Sequence, residues 1–366
     1  MVRRCTKCVL PETIPGITFD ETGTCRHCIE YDAEHDALAQ NKTRRATALE
    51  ELINQARRRR GQSGSKYDVL VPLSGGRDSS YTAWALAVKK NLRVLCVNYD
   101  NPFASTQARE NVRRLVTELD LDLATFEWPN KRHERSFANN LKAWLKVPDL
   151  GAMGLLCLAC KPMYLQFYKI ARMNNIGLIV DGSNPNEVAD FKVEAREGVG
   201  SRGTSLQGSA VKMSKRILRN YRYLHPCNIV PAVQTLMSLD GDTPYLRRNF
   251  PDVTKTGYFW CYPYDEREIN ATLEKLGWEK AKDNKSPWRF DCEIDSLKNY
   301  LFQRLVGATE KEDMFSKSIR AGLMTRDEAL GRLEEADINV AIVERVLRKV
   351  GMELSDLDVV ERPRTQ

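Results

Sequence analysis

The rhythm of apolar and polar positions changes several times along the chain. Residues 31–60 place apolar side chains at helical spacing within an Ala-, Glu-, Gln-, Arg- and Leu-rich stretch, which predicts a helix. Gly61-Gln62-Ser63-Gly64-Ser65 has the composition of a flexible linker. Short apolar runs then alternate with helical patterns. Tyr67 to Leu73 reads as a first strand, followed by a helix from about Asp78 to Lys90. Leu92 to Asn98 reads as a second strand, Thr106 to Leu119 as a helix and Asp122 to Trp128 as a third strand. A helix from about Leu158 to Asn174 leads into a fourth strand, Ile176 to Val180. Strand and helix in alternation predict an α/β fold: a parallel sheet with helices on both faces. Residues 193–213, rich in Gly, Ser and charge, read as a mobile loop near the site. From about Thr254 the pattern turns helical, with Asp265 to Leu276, Ser296 to Val306 and Thr325 to Val350. The resulting division is a cysteine module (1–30), a helix and linker (31–65), an α/β domain (66–253) and a mainly helical C-terminal region (254–366).

Composition narrows the class. With 366 residues, 42% hydrophobic and 29% charged, the chain is expected to form a globular domain with appendages. No apolar run approaches the roughly 18 residues of a membrane span. Met1-Val2-Arg3-Arg4-Cys5 lacks the apolar core of a signal peptide, so a cytoplasmic location is expected. The net charge of +7 suits a polyanionic partner such as RNA, a nucleotide sugar or ATP without choosing among them. Two basic segments could contact phosphates: Arg57 to Arg60, which also reads as a solvated helix face, and Lys212, Lys215, Arg216, Arg219 and Arg222 beside Tyr221 and Tyr223.

The most chemically specific segment is Ser74-Gly75-Gly76-Arg77-Asp78-Ser79-Ser80. A glycine turn between strand and helix aims backbone N–H groups at one point, and the helix terminus adds positive potential there. Its order of residues is not that of the Gly-Lys-Ser/Thr phosphate loop. It resembles the SGGxDS motif of the PP-loop enzymes, the adenine nucleotide alpha-hydrolases with a Rossmann-like (HUP) parallel-sheet domain. That resemblance implies binding of the ATP pyrophosphate and cleavage between the alpha and beta phosphates. The family usually has Lys where this chain has Arg77, which is read as a phosphate ligand on a rigid fork. Asp100 closes Asn98-Tyr99-Asp100 after the second strand, where the fold contacts adenosine. Asp181, Gly182 and Ser183 open Asp181-Gly182-Ser183-Asn184-Pro185-Asn186-Glu187 after the fourth, with a polar strand-to-helix turn as the alternative. Both lie at carboxyl ends of strands, where open parallel sheets bind ligands. Mg²⁺ is expected with the triphosphate, and Asp78, Asp181 and Glu187 are its candidate holders.

The chain has 10 cysteines. Cys5-x-x-Cys8 and Cys25-x-x-Cys28 have the spacing of a closed tetrahedral Zn²⁺ site, a zinc knuckle, with His27 a bystander. Such a site is structural and supplies folding energy to a segment too short for its own core. Cys157-x-x-Cys160 is a second pair, and Cys96 sits within a strand as core.

The stretches Arg4 to Pro11, Pro15 to Asp20 and Gly23-Thr24-Cys25 resemble the start of the N-acetyl sugar amidotransferases. Ala308-Thr309, Ile319 to Gly322 and Thr325 to Leu330 resemble that family's C-terminal helices. The resemblance implies a role in bacterial surface polysaccharide biosynthesis: adenylation of an acetamido oxygen of a sugar, then displacement of AMP by ammonia from a separate glutaminase with an ammonia channel. The pair Cys157 and Cys160 is not a general requirement of that chemistry. It resembles the tRNA 2-thiolation branch of PP-loop enzymes, where two such cysteines and a third downstream hold a [4Fe–4S] cluster with one iron open to sulfide. Cys292 is the preferred third ligand, with Cys227 and Cys261 as alternatives; a second zinc site, a reactive thiol at a helix start and plain burial also remain open. Two reactions therefore share one activation step: amidotransfer to a sugar-like molecule, which the wider resemblance favours, and sulfurtransfer from a sulfur donor to a tRNA base or small carbonyl compound. An oligomer stays open.

Overall fold

The computed structural model describes residues 2–199, 206–238, 241–283, 289–335 and 338–360. Five strands, β1 (Val69–Pro72), β2 (Val94–Tyr99), β3 (Asp122–Phe126), β4 (Leu178–Asp181) and β5 (Thr254–Gly257), form one parallel sheet in the order β3-β2-β1-β4-β5. The order reverses between β1 and β4, so the carboxyl end of β1 opens on a crevice. This is the α/β parallel-sheet fold that the PP-loop resemblance implies.

The helices are α1 (Arg26–Ser63), α2 (Arg77–Trp84), α3 (Thr106–Glu118), α4 (Arg132–Lys146), α5 (Met163–Met173), α6 (Asp190–Glu197), α7 (Leu206–Arg219), α8 (Pro226–Ser238), α9 (Pro244–Asn249), α10 (Tyr258–Cys261), α11 (Glu266–Glu274), α12 (Ile294–Val306), α13 (Glu310–Arg320), α14 (Arg326–Glu335) and α15 (Val340–Lys349). Side chains alternate across each strand, and the two faces bury separate cores. Val69, Val71, Val94, Cys96 and Val180 pack with Ile53 of α1, Tyr81 of α2, Val112 of α3 and Leu273 of α11. Leu70, Leu95, Val97 and Ile179 face Leu165 and Tyr168 of α5 and Leu246 of α9. A third core joins the four N-terminal cysteines to α4, α12 and α15 around Phe137, Trp144, Leu301 and Val346.

Several local expectations change. The Gly61–Ser65 linker is the last turn of α1, which ends at Ser63 with Gly64 in the left-handed conformation (φ 68°). Arg57 and Arg59 donate to the carbonyls of Lys90 and Asp252, and Arg60 pairs with Asp68 at 2.7 Å, so these three fasten α1 to the sheet, with Arg57 still exposed to solvent. The expected loop at 193–213 is helical in α6 and α7; its residues 200–205 lie outside the described set. Thr254, read as the start of a helical region, opens β5. The helix expected from Leu158 starts at Met163, after a 3₁₀ segment Leu150–Cys157. Among the described residues, no helix is long and apolar enough to cross a membrane.

Candidate active site at the end of the first strand

Ser74, Gly75 and Gly76 form the turn from β1 into α2. Gly75 has φ +82°, and a Cβ there would stand 2.0 Å from the carbonyl oxygen of Ala108, so only glycine fits beside α3. Its own carbonyl accepts from Trp278 Nε1 at 3.0 Å and Asn111 Nδ2 at 3.3 Å. Ser79 Oγ donates to Gly76 O at 3.1 Å and lies 3.1 Å from Ser74 Oγ. The loop is thus fastened from behind, and the first N–H groups of α2 have no acceptor within the helix. Asn98 Nδ2 donates to Leu73 O at 2.7 Å, tying the end of β2 to the entry of the loop. Gly182 after β4 crosses α2 closely: its Cβ would meet Asp78 and Ser79 backbone at 2.7 Å.

Arg77 is not presented to the crevice. It is 2% exposed, and its guanidinium donates to Glu266 Oε1 at 2.7 Å, to Tyr264 Oη and to Asp78 Oδ1 at 3.2 Å. Tyr264 Oη also donates to Asp78 Oδ1 at 3.1 Å, and Asn184 Nδ2 donates to Oδ2 at 3.3 Å. These contacts correct the reading of Arg77 as a phosphate ligand: its fork positions the Asp78 carboxylate. Burial pushes Asp78 up to about 6, with Arg77 opposing and Glu187 adding to the rise. Glu187 is paired with Arg289 at 3.0 Å.

Asp181 is held by Lys255 of β5 at 2.6 Å and accepts from Ser183 N at 3.1 Å. Asp100 is half exposed and paired with Arg109 at 3.1 Å. Ser80 is buried on α2, with a hydroxyl that finds no hydrogen-bond partner among the described residues. Asp78, Asp181 and Glu187 do not converge at single-ion spacing, since the four N-terminal cysteines are the one group among the described residues that does.

Sequence reasoning missed Asp291. It accepts a hydrogen bond from Ser74, and its carboxyl would contact a Cβ on Gly76 at 3.3 Å; burial raises its pKa. It reaches the loop because Cys292 bridges Ala104 in antiparallel fashion, Ser105 N donates to Asp291 O at 3.1 Å and Glu293 N donates to Phe103 O at 2.8 Å. The same strap brings Cys292 to the neighbourhood of Cys157 and Cys160. Those two sit on consecutive turns, Cys160 N donating to Cys157 O at 3.1 Å. Burial pushes the Cys160 thiol up to about 12, with Cys157 adding to the rise. Cys292 is raised by burial and then by Cys157 and Cys160. Lys298 of α12 lies close enough for Cys157 to favour its charged form. Of the alternatives, Cys227 contacts His225 Nδ1 at 3.0 Å and Cys261 is buried against Thr256, and neither is among the groups acting on Cys157's partners.

At the N-terminus, Cys5, Cys8, Cys25 and Cys28 are fully buried, with all four Sγ atoms within 4.8 Å of one another. Backbone N–H groups of Lys7, Cys8 and Cys25 point at Cys5 Sγ from 3.2–3.4 Å, as anionic sulfur requires. Arg326 clamps the first hairpin through the Cys5 and Cys8 carbonyls. His27 is turned towards Glu194, 4.0 Å away, outside the four-sulfur group.

No family model matches the sequence. A probable tRNA sulfurtransferase of Methanosarcina acetivorans is 29% identical over 132 residues, covering 34% of this chain and 30% of that protein. The chain therefore spans less than a third of the length of this curated relative. Two solved structures are similar at a low level. An NMN synthetase from Francisella tularensis has a TM-score of 0.36 and 13% identity, covering 86% of this chain and 97% of its own. The U34-tRNA thiolase NcsA from Methanococcus maripaludis, with its [4Fe–4S] cluster, has a TM-score of 0.32 and 14% identity, covering 92% and 90%.

Proposed function

We propose that the chain is a PP-loop ATP pyrophosphatase that replaces a carbonyl oxygen with sulfur. The observation that carries this reading is that Cys292, on the strap that also delivers Asp291 to Ser74, packs on the same core as Cys157, one turn from Cys160, and that burial and the other two thiols together raise its pKa. Three thiols from two segments, spaced more widely than a single ion requires, suit the donor set of a [4Fe–4S] cluster with one open iron. When bound there, the cluster would supply a site for sulfide.

The chain's own residues prepare the activation. The phosphate loop and the first turn of α2 receive the triphosphate, with Mg²⁺ and an ionised Asp78 as its partners. The acceptor's carbonyl oxygen attacks the alpha phosphorus and pyrophosphate leaves. Sulfide then adds to the activated carbon, and AMP departs with the original oxygen, so C=O becomes C=S. The curated relative, a probable tRNA sulfurtransferase, accords with a tRNA acceptor. The four N-terminal thiolates are assigned to a structural Zn²⁺, because a closed site leaves no coordination position for substrate.

The test supplies ATP, Mg²⁺ and unfractionated tRNA with either radiolabelled sulfide or ammonium. The proposal expects AMP together with labelled tRNA, both lost in Cys157→Ser. Turnover with ammonium and an N-acetyl sugar, unchanged in Cys157→Ser, would return the chain to the amidotransferase reading that its terminal motifs favour.

A further inference from the structure

At the amino ends of β4 and β5, opposite the phosphate loop, lies a cavity of about 350 Å³. Its lining includes Arg59, Arg172, Arg248, Phe250 and Asp252. The three arginines come from three separate elements, α1, α5 and α9. Against three guanidinium groups stands one carboxylate, Asp252, which leaves an excess of two positive charges in one small space.

The protein satisfies these arginines only in part. Arg59 donates to Asp252 O at 2.7 Å and Arg172 to Asn249 O at 3.0 Å. A guanidinium has five donors, so most remain unused, and a carbonyl carries no full charge to offset the cation. None of the three makes an ion pair among the described residues. The cradle is also shaped at the backbone: a Cβ on Gly177 would stand 2.9 Å from Arg59 Cδ and 3.2 Å from Asp252 O, so glycine at the entry of β4 leaves room for the Arg59 side chain. Bringing like charges together without a counter-charge is unfavourable, and a planar fork is the group best matched to phosphate oxygens.

We infer that this cavity is an anion site that takes a phosphate group, separate from the nucleotide crevice and at the opposite end of the strands from it. Two sources carry that chemistry: free phosphate and the backbone of RNA. The inference stands whether or not the chain transfers sulfur.

The test is calorimetric titration of the full chain with inorganic phosphate, comparing wild type with Arg172→Gln/Arg248→Gln. Wild type is expected to take up one more phosphate per chain than the double variant. Equal uptake at equal affinity overturns the site. Should the double variant misfold, Arg248→Gln alone serves, because Arg248 is exposed and makes no bond to the described chain. It is expected to weaken the site about tenfold, the loss of one charge-assisted hydrogen bond; unchanged affinity overturns the inference. The source follows from unfractionated tRNA. If RNA backbone occupies the site, the salt dependence of tRNA binding falls by about one unit of slope per arginine removed. If the slope is unchanged while phosphate uptake is lost, free phosphate is the ligand.

Discussion

Replacing Arg77 with methionine separates two roles that the phosphate loop allows for this residue. The guanidinium is buried among Asp78, Glu266 and Tyr264, so its loss leaves two carboxylates without their shared cation. Breaking a buried ion pair in this way costs about 3–5 kcal/mol. Glu266 keeps Arg332 at 2.9 Å, and Asp78 keeps Tyr264 and Asn184, which places the expected loss near the lower end, about 3 kcal/mol. Removing Arg77 also removes the cation that does most to hold Asp78 down, so the Asp78 pKa moves further above 6. Urea unfolding of the variant should show the lost stability. Mg–ATP affinity, measured against pH, should fall most near neutrality and recover as pH rises and Asp78 ionises. A variant with wild-type stability and a uniform loss of ATP affinity at every pH would refute the positioning role and restore Arg77 as a direct phosphate ligand.

The raised Asp78 carboxyl makes a second, signed prediction. A carboxyl whose pKa rises on folding, here from about 3.9 to about 6, stabilises the fold fully below the lower value, and that contribution is lost as pH climbs through the higher one. The full effect is about 3 kcal/mol. Stability of the ligand-free chain should therefore decline between about pH 4 and pH 6, and Asp78→Asn should flatten that decline while abolishing AMP formation. Gly75→Ala forces a Cβ against Ala108 O at positive φ and should cost roughly 1–3 kcal/mol while removing nucleotide binding; an ATP titration matching wild type would contradict the close packing of the loop on α3. Cys5→Ser should release the N-terminal metal and loosen α14 through Arg326; full zinc stoichiometry by elemental analysis would remove Cys5 from the ligand set.

Much of the sheet is written in short-range pattern. Val69 to Val71, Val94 to Val97 and Leu178 to Val180 are buried on both faces and read as apolar runs, so their strands were legible. β5 was not, because Thr254-Lys255-Thr256-Gly257 is polar and pairs on one side only, with β4. Its Lys255 is nevertheless the partner of Asp181. The phosphate loop was legible because turn, glycines and cap are contiguous. The posture of Arg77 was not, because Glu266 lies 189 residues away. The same limit applies to the cysteines. Cys157 and Cys160 announce themselves by spacing, whereas Cys292 joins them only through its bridge to Ala104. Asp291, its neighbour, carries no local signal at all.

The most direct test of sulfur transfer is the iron, acid-labile sulfide and zinc content of protein prepared without oxygen, in wild type and Cys292→Ser. We expect about four irons and four sulfides per chain in the wild type, with cluster absorption in the visible, and loss of both on substituting Cys292 while zinc is retained. A colourless wild-type protein that carries zinc alone after cluster reconstitution would contradict it.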